Sequence, residues 1–278
     1  MIYEPTKVLG RVLVIAGSDS GGGAGIQADI KTITALGCFA TTAITALTAQ
    51  NTKGVFDILE VPPDFISSQI NLVLDDIGTD VVKTGMLNKS KTIEMIAQIL
   101  EQRINNFPLI VDPVMTAKNG SKLLDDLAIM TLLVHLIPKS AIVTPNIPEA
   151  IALTGITIKN VDDMIIAGKA LLTKGARAVL IKGGHLPSNK ITDVLIDVNG
   201  VEIFEDSRIE TTSTHGTGCT MASAIAAGLA QDLPLKVAVL RARQYVQLAL
   251  SSAPGFGQGC GPINHAHTID ILKISYMR

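Results

Sequence analysis

The chain has 278 residues, of which 47% are hydrophobic and 17% charged, and its 23 basic and 25 acidic side chains leave a formal charge of −2. High hydrophobicity with low net charge excludes an intrinsically disordered chain. The balanced charge and the aromatic content of 3% argue against a nucleic-acid partner, which usually requires a basic face or stacking rings.

Short apolar runs alternate with longer amphipathic segments along the first part of the chain. The runs are rich in β-branched residues, which is typical of strands buried on both faces of a parallel sheet. The longer segments carry apolar residues at helical spacing, as Ile93, Ile96 and Leu100 do. In chain order, the predicted strands are Val12–Ala16, Val55–Val61, Val81–Thr84, Leu109–Val111, Ala141–Thr144 and Ala178–Ile181, and the predicted helices are Gly25–Leu36, Asp64–Asp76, Ser90–Arg103, Lys122–Leu136 and Val161–Lys174.

The pattern changes after residue 190. Thr192–Asp197 and Val201–Glu205 flank an Asn-Gly pair that favours a tight hairpin, and two long helices are predicted at Gly218–Gln231 and Leu235–Ser252. The strand–helix alternation predicts an α/β fold with helices on both faces of the sheet. No repeat or linker divides the sequence, so we expect a single domain over residues 1–278. Ligands of such sheets bind beyond the carboxyl ends of the strands.

Neither a membrane span nor an export signal is predicted. The longest charge-free stretches are Thr32–Thr52 and Thr211–Gln231, and both are interrupted by polar residues. The three cysteines are odd in number and widely separated, which does not suit a disulfide framework. We therefore expect a cytoplasmic protein with no membrane partner.

A glycine-rich segment, residues 17–25 (GSDSGGGAG), follows the first predicted strand and enters a helix. Its five glycines allow a ligand to approach the backbone closely. Their spacing does not match a G-x-G-x-x-G dinucleotide site, and no Lys-Ser or Lys-Thr pair follows as in a Walker A loop. A ligand loop and a flexible turn are both compatible with this segment.

A second glycine-rich turn, residues 215–220 (HGTGCT), precedes a helix of small apolar residues. The N–H groups of such a turn bind anions, and the helix dipole adds to the attraction. Cys219 falls in the first helical turn, where the same field favours a thiolate, so we predict that its sulfur acts as a base or nucleophile. The alternative is a buried core residue, as most free cysteines are. Cys38 and Cys260 lack this context and are interpreted as structural.

Polar side chains follow three further strands. Asp112 ends one buried strand, and Lys182 ends another just before two glycines, where it can contact phosphate. Asn146 and Glu149 lie three residues apart at a helix start. They form either a capping box or part of a site for a divalent cation on phosphates. His215 is expected to hydrogen-bond within its turn and not to bind zinc.

The combination of these motifs resembles the ribokinase superfamily, and more narrowly the hydroxymethylpyrimidine/phosphomethylpyrimidine kinases of thiamine biosynthesis. The resemblance runs nearly from end to end and implies a three-layer sandwich with a central, mainly parallel sheet, usually as a homodimer. The matching segments are Ala16–Asp29, Thr45–Thr52 (TALTAQNT), Lys83–Leu87 (KTGML), Asp112–Met115, Thr144–Ala150, Lys182–Leu186 (KGGHL), Thr214–Thr220 and Gly261–His265 (GPINH).

The resemblance also implies an activity. Members of this family use ATP and Mg²⁺ to phosphorylate 4-amino-5-hydroxymethyl-2-methylpyrimidine, and then convert the monophosphate to the diphosphate. Gln50 would hydrogen-bond the aminopyrimidine edge, and Thr48 stands where the family often has an aliphatic residue. The other pocket residues implied are Gly17, Asp29, Met86 and Val114.

The remaining implied roles concern the phosphates. Asp112 and Glu149 would organise Mg²⁺, and Lys182, Asn146 and Thr217 would contact the nucleotide. Gly216, Thr217 and Gly218 would form the anion hole, with Cys219 as the base.

Three other functions share parts of this sequence pattern. A pyridoxal kinase of the same fold is the nearest alternative. Hydroxyethylthiazole kinases also have a GTGC-like turn, but the TALTAQNT and KTGML segments argue against that assignment. A non-catalytic nucleotide-binding module would not require the intact turn together with Asn146, Glu149 and Lys182.

Overall fold

A computed structural model describes residues 9–103, 107–116, 120 and 123–269. Within these ranges the strands are β1 (Arg11–Asp19), β2 (Phe39–Asn51), β3 (Gly54–Glu60), β4 (Val81–Thr84), β5 (Leu109–Val111), β6 (Ile142–Val143), β7 (Ala178–Ile181), β8 (Lys190–Asp197) and β9 (Gly200–Ser207). The α-helices are α1 (Gly25–Ala35), α2 (Pro63–Leu72), α3 (Ser90–Glu101), α4 (Asp126–His135), α5 (Ile147–Thr154), α6 (Val161–Thr173), α7 (Thr217–Leu229) and α8 (Leu235–Ser251).

These strands form one sheet in the order β3-β2-β1-β4-β5-β6-β7-β8-β9. The six central strands, from β2 to β7, are parallel. Strand β3 and the β8–β9 hairpin pair antiparallel at the two ends of the sheet. The predicted α/β fold with a mainly parallel sheet and a hairpin near residue 199 is therefore confirmed.

The sheet separates two hydrophobic cores, because successive side chains of a strand point to opposite faces. Val12 and Val14 of β1 pack on one face with residues of α1, α7 and α8. Leu13 and Ile15 pack on the other face with residues of helices α2 to α6. This is the expected three-layer sandwich, and it leaves the carboxyl ends of the parallel strands open to a ligand.

Several predicted elements differ from the structure. The sequence did not predict β2, a strand of 13 residues in which Thr and Ala dominate and partly exposed positions alternate with buried ones. Helix α2 ends at Leu72, and a π-type turn at Val73–Ile77 follows it. Helix α4 begins after Asp125, whose carboxylate caps the Ala128 N–H at 2.8 Å; the predicted start at Lys122 lies outside the described residues. No helix in the described ranges is long and apolar enough to cross a membrane.

Candidate functional site

A cavity of about 1060 Å³ lies at the carboxyl ends of the parallel strands. It brings together segments from most of the chain, as expected for a doubly wound sheet. All but one of the predicted site residues line it: Gly17, Thr48, Gln50, Met86, Asp112, Val114, Asn146, Glu149, Lys182, Gly216, Thr217, Gly218 and Cys219.

Asp29 is the exception, and its predicted place in the pocket lining is wrong. Its side chain is fully buried beneath the cavity, where both carboxylate oxygens accept from Lys83 Nζ at 3.0 Å. Ser223 of α7 donates a third hydrogen bond at 2.7 Å. Burial alone would lower the pKa of Lys83, but the charge of Asp29, its hydrogen bonds and the nearby Asp112 charge together contribute to raising that pKa. Asp29 therefore ties α1 to β4 and α7 below the site instead of touching a ligand.

The first glycine-rich segment is an ordered loop held by Asp19. One carboxylate oxygen of Asp19 accepts from the Gly21 N–H at 2.7 Å, and the other accepts from the N–H groups of Gly23 and Ala24 at 3.0 and 2.8 Å. His215 Nε2 lies 2.8 Å from the second oxygen. Burial would raise the pKa of Asp19, but these hydrogen bonds lower it overall. The sequence was compatible with a ligand loop or a flexible turn, and these hydrogen bonds favour the ligand loop.

The two glycine-rich turns interlock. Gly216 has a φ of +83°, and a Cβ there would lie 1.8 Å from the Gly23 carbonyl oxygen. A Cβ on Gly23 would in turn lie 2.4 Å from the His215 ring. Only glycine fits at both positions, because backbone and ring leave no room for a side chain.

The second turn, predicted to bind an anion, lies at the start of α7. Gly216 is the N-cap of this helix, the Thr217 N–H donates to the Thr214 carbonyl at 3.5 Å, and the N–H groups of Gly218 and Cys219 lie in the first helical turn, where N–H groups have no acceptor within the helix. Thr217 Oγ1 donates to the Thr214 carbonyl at 3.1 Å and holds the turn in shape. Lys182 approaches from β7, since a Cβ on Gly218 would lie 3.2 Å from Lys182 Nζ. Backbone amides and one ammonium group thus converge on the same space.

Lys182 is paired with the carboxylate of Asp112. The Nζ–Oδ1 distance is 2.9 Å, and Thr144 Oγ1 donates to the same oxygen at 3.0 Å. Burial would raise the pKa of Asp112, but the charges of Lys182 and Lys83 and these hydrogen bonds lower it. Asp112 is therefore an anion in the resting site.

Asn146 and Glu149 form the capping box that the sequence left as one of two alternatives. Asn146 Oδ1 accepts from the Glu149 N–H at 2.9 Å, and Glu149 Oε2 accepts from the Asn146 N–H at 2.7 Å. Glu149 is buried at the cavity wall, and its pKa is raised to about 7 by burial and by the Asp112 charge, against the attraction of Lys182. The capping role uses one carboxylate oxygen, and the Met115 N–H also donates to this carboxylate.

Cys219 does not carry the thiolate that its helix position predicts. Burial in the site raises the pKa of the thiol to about 12, and the charges of Asp29 and Asp112 add to the effect, whereas Lys83 opposes it. The helix-start argument fails because burial of the sulfur, with a smaller contribution from the two carboxylates, outweighs the dipole. In the resting site Cys219 is a neutral thiol.

The other end of the cavity is lined by apolar side chains and by the side-chain amide of Gln50. Met86 packs with Ala46, and Val114 borders the same small cluster. Gly17 lies against Met86, because a Cβ there would meet the sulfur at 3.2 Å. Gln50 places its amide between His215 and Thr48, at 3.0 and 3.3 Å. A flat heterocycle with polar edge atoms matches this lining.

Comparison with known proteins identifies the family. The phosphomethylpyrimidine kinase family model matches residues 19–264. The chain belongs to the phosphomethylpyrimidine kinase family. It is 45% identical over 258 residues to the hydroxymethylpyrimidine/phosphomethylpyrimidine kinase of Rhizobium meliloti, covering 92% of this chain and 96% of that protein. The predicted family, the kinase class and the ribokinase-like fold are thereby confirmed.

Two further proteins are similar to this phosphomethylpyrimidine kinase family member over most of its length. The chain is 50% identical over 256 residues to the thiamine biosynthesis bifunctional protein ThiED of Geobacter sulfurreducens, covering 92% of this chain and 52% of that protein, so it spans about half of that relative's length. The structure of the pyridoxal kinase from Staphylococcus aureus in complex with pyridoxal superposes with a TM-score of 0.88 at 33% identity, covering 95% of this chain and 96% of that one.

Sequence reasoning missed Asp19 and Lys83 as parts of this kinase site. Both residues lie in segments that carry the family resemblance, Ala16–Asp29 and Lys83–Leu87, but the sequence predicted no role for either of them. A lysine in an otherwise apolar strand was the available signal for Lys83, because a fully buried lysine requires an anionic partner. For Asp19 the signal was an acidic residue among glycines, whose N–H groups need an acceptor.

Proposed function

We propose that this protein phosphorylates 4-amino-5-hydroxymethyl-2-methylpyrimidine with ATP, and then phosphorylates the monophosphate to the diphosphate, as a step of thiamine biosynthesis. One observation carries the proposal: the Gly216–Cys219 turn with Lys182 and the amide edge of Gln50 line the same cavity. The turn suits a phosphoryl group, and the amide suits an aminopyrimidine. The hydroxymethyl group of a bound pyrimidine would then face the anion site.

Phosphoryl transfer requires in-line positioning and neutralised charge more than covalent help from the protein. The N–H groups that start α7 would bind the transferred phosphoryl oxygens, and Lys182 would contact the nucleotide phosphates. As a thiolate, Cys219 would take the hydroxyl proton in the first step, after its thiol has lost its own proton to solvent. In the second step the monophosphate is already a nucleophile near pH 7, since its second pKa is about 6, and a neutral thiol does not repel it.

The acidic residues of the cavity fit a magnesium ion held mainly by phosphates. Asp112 and Glu149 line the cavity as buried carboxylates, and the described residues contain no group of three side chains suited to hold a metal alone. Mg²⁺ usually binds through one or two carboxylates, with phosphates and water completing its shell. Asp112 and Glu149 would hold the ion, with Asn146 beside them, and the bound ion would neutralise phosphate charge.

Pyridoxal is a second candidate substrate, because the S. aureus pyridoxal kinase shares the whole fold at 33% identity. The test is a side-by-side assay of ADP release from Mg-ATP with the hydroxymethylpyrimidine, its monophosphate and pyridoxal. We expect release with the first two and a lower kcat/KM with pyridoxal. A preference for pyridoxal would reverse the assignment, and no release with any of the three would support a non-catalytic module.

A homodimer is the proposed assembly. Leu47 and Leu59 lie directly opposite each other on β2 and β3, at the edge of the sheet, and expose 43% and 66% of their surface. An apolar pair on an unpaired edge is a natural contact for a second copy. The cytoplasmic location and the single domain over residues 1–278 stay predictions.

A further inference from the structure

Gln50 presents its amide to the cavity between two protein partners. The end of the amide placed as nitrogen lies 3.0 Å from His215 Nε2, and the end placed as oxygen lies 3.3 Å from Thr48 Oγ1. The two ends of a glutamine amide are distinguished by the hydrogen bonds that their neighbours can make. Each neighbour of Gln50 has its own fixed partner, so the orientation of the amide can be worked out.

His215 Nε2 cannot accept a hydrogen bond from Gln50, and its one proton is shared between Asp19 and Gln50. Its Nε2 lies 2.8 Å from Asp19 Oδ2, and this carboxylate already accepts three backbone N–H groups. Such a carboxylate is ionised and has no proton to give. The proton between the two side chains therefore resides on His215 Nε2. A nitrogen that carries this proton cannot accept a hydrogen bond from an amide N–H.

Thr48 can only accept from Gln50. A threonine hydroxyl has one proton, and Thr48 Oγ1 donates it to the Ser18 carbonyl at 2.9 Å. The lone pairs of Oγ1 remain for a donor. The amide oxygen of Gln50 cannot be satisfied there, whereas its NH₂ group can.

We propose that Asp19, through His215, and Thr48 are positioning residues that hold the Gln50 amide with Oε1 toward His215 and Nε2 toward Thr48, and that this fixed edge selects a pyrimidine with an amino group beside a ring nitrogen over its oxo analogue. The inference deepens the proposed function and rests on it. The second lone pair of Oε1 accepts from the amino group, and the second N–H of Nε2 donates to the ring nitrogen.

The oxo analogue presents the reverse pattern, a carbonyl acceptor beside a ring N–H donor. To match it, the amide must rotate by half a turn. Oε1 would then face Thr48, whose proton is committed to Ser18, and Nε2 would face the proton of His215. The rotated amide would lose its contact with Thr48 and would set an N–H against the N–H of His215, and sites of this kind reject the mismatched partner strongly.

The test compares 4-amino-5-hydroxymethyl-2-methylpyrimidine with its 4-oxo analogue, by kcat/KM and by calorimetric Kd without nucleotide. For the unmodified protein we expect a preference of roughly 100-fold or more for the amino compound. Thr48→Val removes the acceptor for Nε2 and should reduce that preference about 10-fold. Thr48→Ser restores it. Thr42→Val, on the same strand outside the cavity, is the matched control and should leave it unchanged.

A second variant, on the other side of the Gln50 amide, tests whether the effect of Thr48→Val is confined to the surroundings of residue 48. His215→Leu removes the N–H that keeps Nε2 of Gln50 away from this side and should also reduce the preference, measured on protein whose thermal unfolding is still cooperative. An unchanged preference in both variants, or equal losses for both compounds, overturns the inference. No ADP release by the unmodified protein with the amino compound overturns the proposed function instead, and the calorimetric ratio still tests the orientation of Gln50.

Discussion

Lys182 and Asp112, which follow β7 and β5, form a buried ion pair of 2.9 Å across the end of β6. The lysine that the sequence assigns to nucleotide phosphate is thus held by a carboxylate in the resting protein. An incoming phosphate must compete with Asp112 for this ammonium group, and the repulsion between the two anions opposes binding.

Asp112→Asn should therefore tighten the binding of ADP in the absence of Mg²⁺ by about 10-fold, because it frees Lys182 and removes one negative charge. Turnover with Mg-ATP should fall at least about 100-fold, since a proposed metal ligand is lost. Calorimetry with EDTA present measures the first effect, with Asp162→Asn on the surface of α6 as control. Weaker metal-free binding of ADP would contradict the competition.

Cys219→Ala should reduce the first phosphorylation by about 100-fold and the second by less than about 10-fold, because only the hydroxymethyl group needs a base. Separate initial rates with the pyrimidine and its monophosphate measure this, and Cys260→Ser is the matched control. Equal losses in both steps would refute the assignment. Cys219→Asp is a companion: full activity in the second step would show that a fixed charge there is harmless.

Gln50→Leu should raise KM for the pyrimidine at least about 10-fold, since an apolar side chain cannot pair with the heterocycle edge. KM for ATP should change little, because Lys182 and the α7 turn, and not Gln50, would contact the phosphates. Steady-state kinetics with each substrate varied in turn give both constants. Gln98→Leu on the exposed face of α3 serves as control, and a large effect on ATP would place Gln50 elsewhere.

Glu149 should make the stability of the metal-free protein depend on pH. Its pKa is raised by burial to about 7 in the folded state, against roughly 4.3 in an unfolded chain. The protonated form stabilises the fold fully below about pH 4, and this contribution is lost as the pH rises through 7.

Glu149→Gln keeps an acceptor for the Asn146 N–H and mimics the protonated group. It should increase the free energy of unfolding by about 1–3 kcal/mol at pH 8, with the gain shrinking toward pH 5. Chemical denaturation with EDTA present at both pH values measures it, beside Glu94→Gln on the exposed face of α3. A variant that is less stable at pH 8 would show that Glu149 is ionised at little cost.

Leu59→Glu should convert the proposed homodimer to a monomer, because it places a charge in the apolar pair with Leu47. Analytical ultracentrifugation measures the mass, and circular dichroism checks that the fold is kept. Ile166→Glu on the exposed face of α6 is the control. A monomeric unmodified protein would disprove the assembly itself.

The strands of the sheet centre could be predicted because burial on both faces leaves a compact apolar run, as in Leu109–Val111. Strand β2 could not be predicted, since some of its Thr and Ala residues are buried and others are partly exposed. Their pattern resembles a loop as much as a strand. The positions of site residues along the chain followed from the strand ends. Their partners did not: the pairing of Asp29 with Lys83 joins residues 54 apart, and no local pattern encodes it.

The same limit applied to Cys219. Its place in the first turn of α7 was visible in the sequence, and so was the dipole argument for a thiolate. What reverses that argument is burial of the sulfur, aided by the charges of Asp29 on α1 and Asp112 after β5, and only the tertiary fold produces both effects. A helix-terminus effect is small, on the order of 1 kcal/mol, and burial together with two neighbouring carboxylates exceeds it.

The interlock of Gly23 with Gly216 has a consequence for the order in which the protein acquires activity. The two turns are joined by the hydrogen bond from His215 to Asp19, which spans 196 residues, so neither can reach its final shape until most of the polypeptide has been synthesised. A nascent chain released before residue 215 has its sheet strands but no phosphate site. Premature termination should therefore yield no partly active kinase, and competence for catalysis should appear only when synthesis is nearly finished.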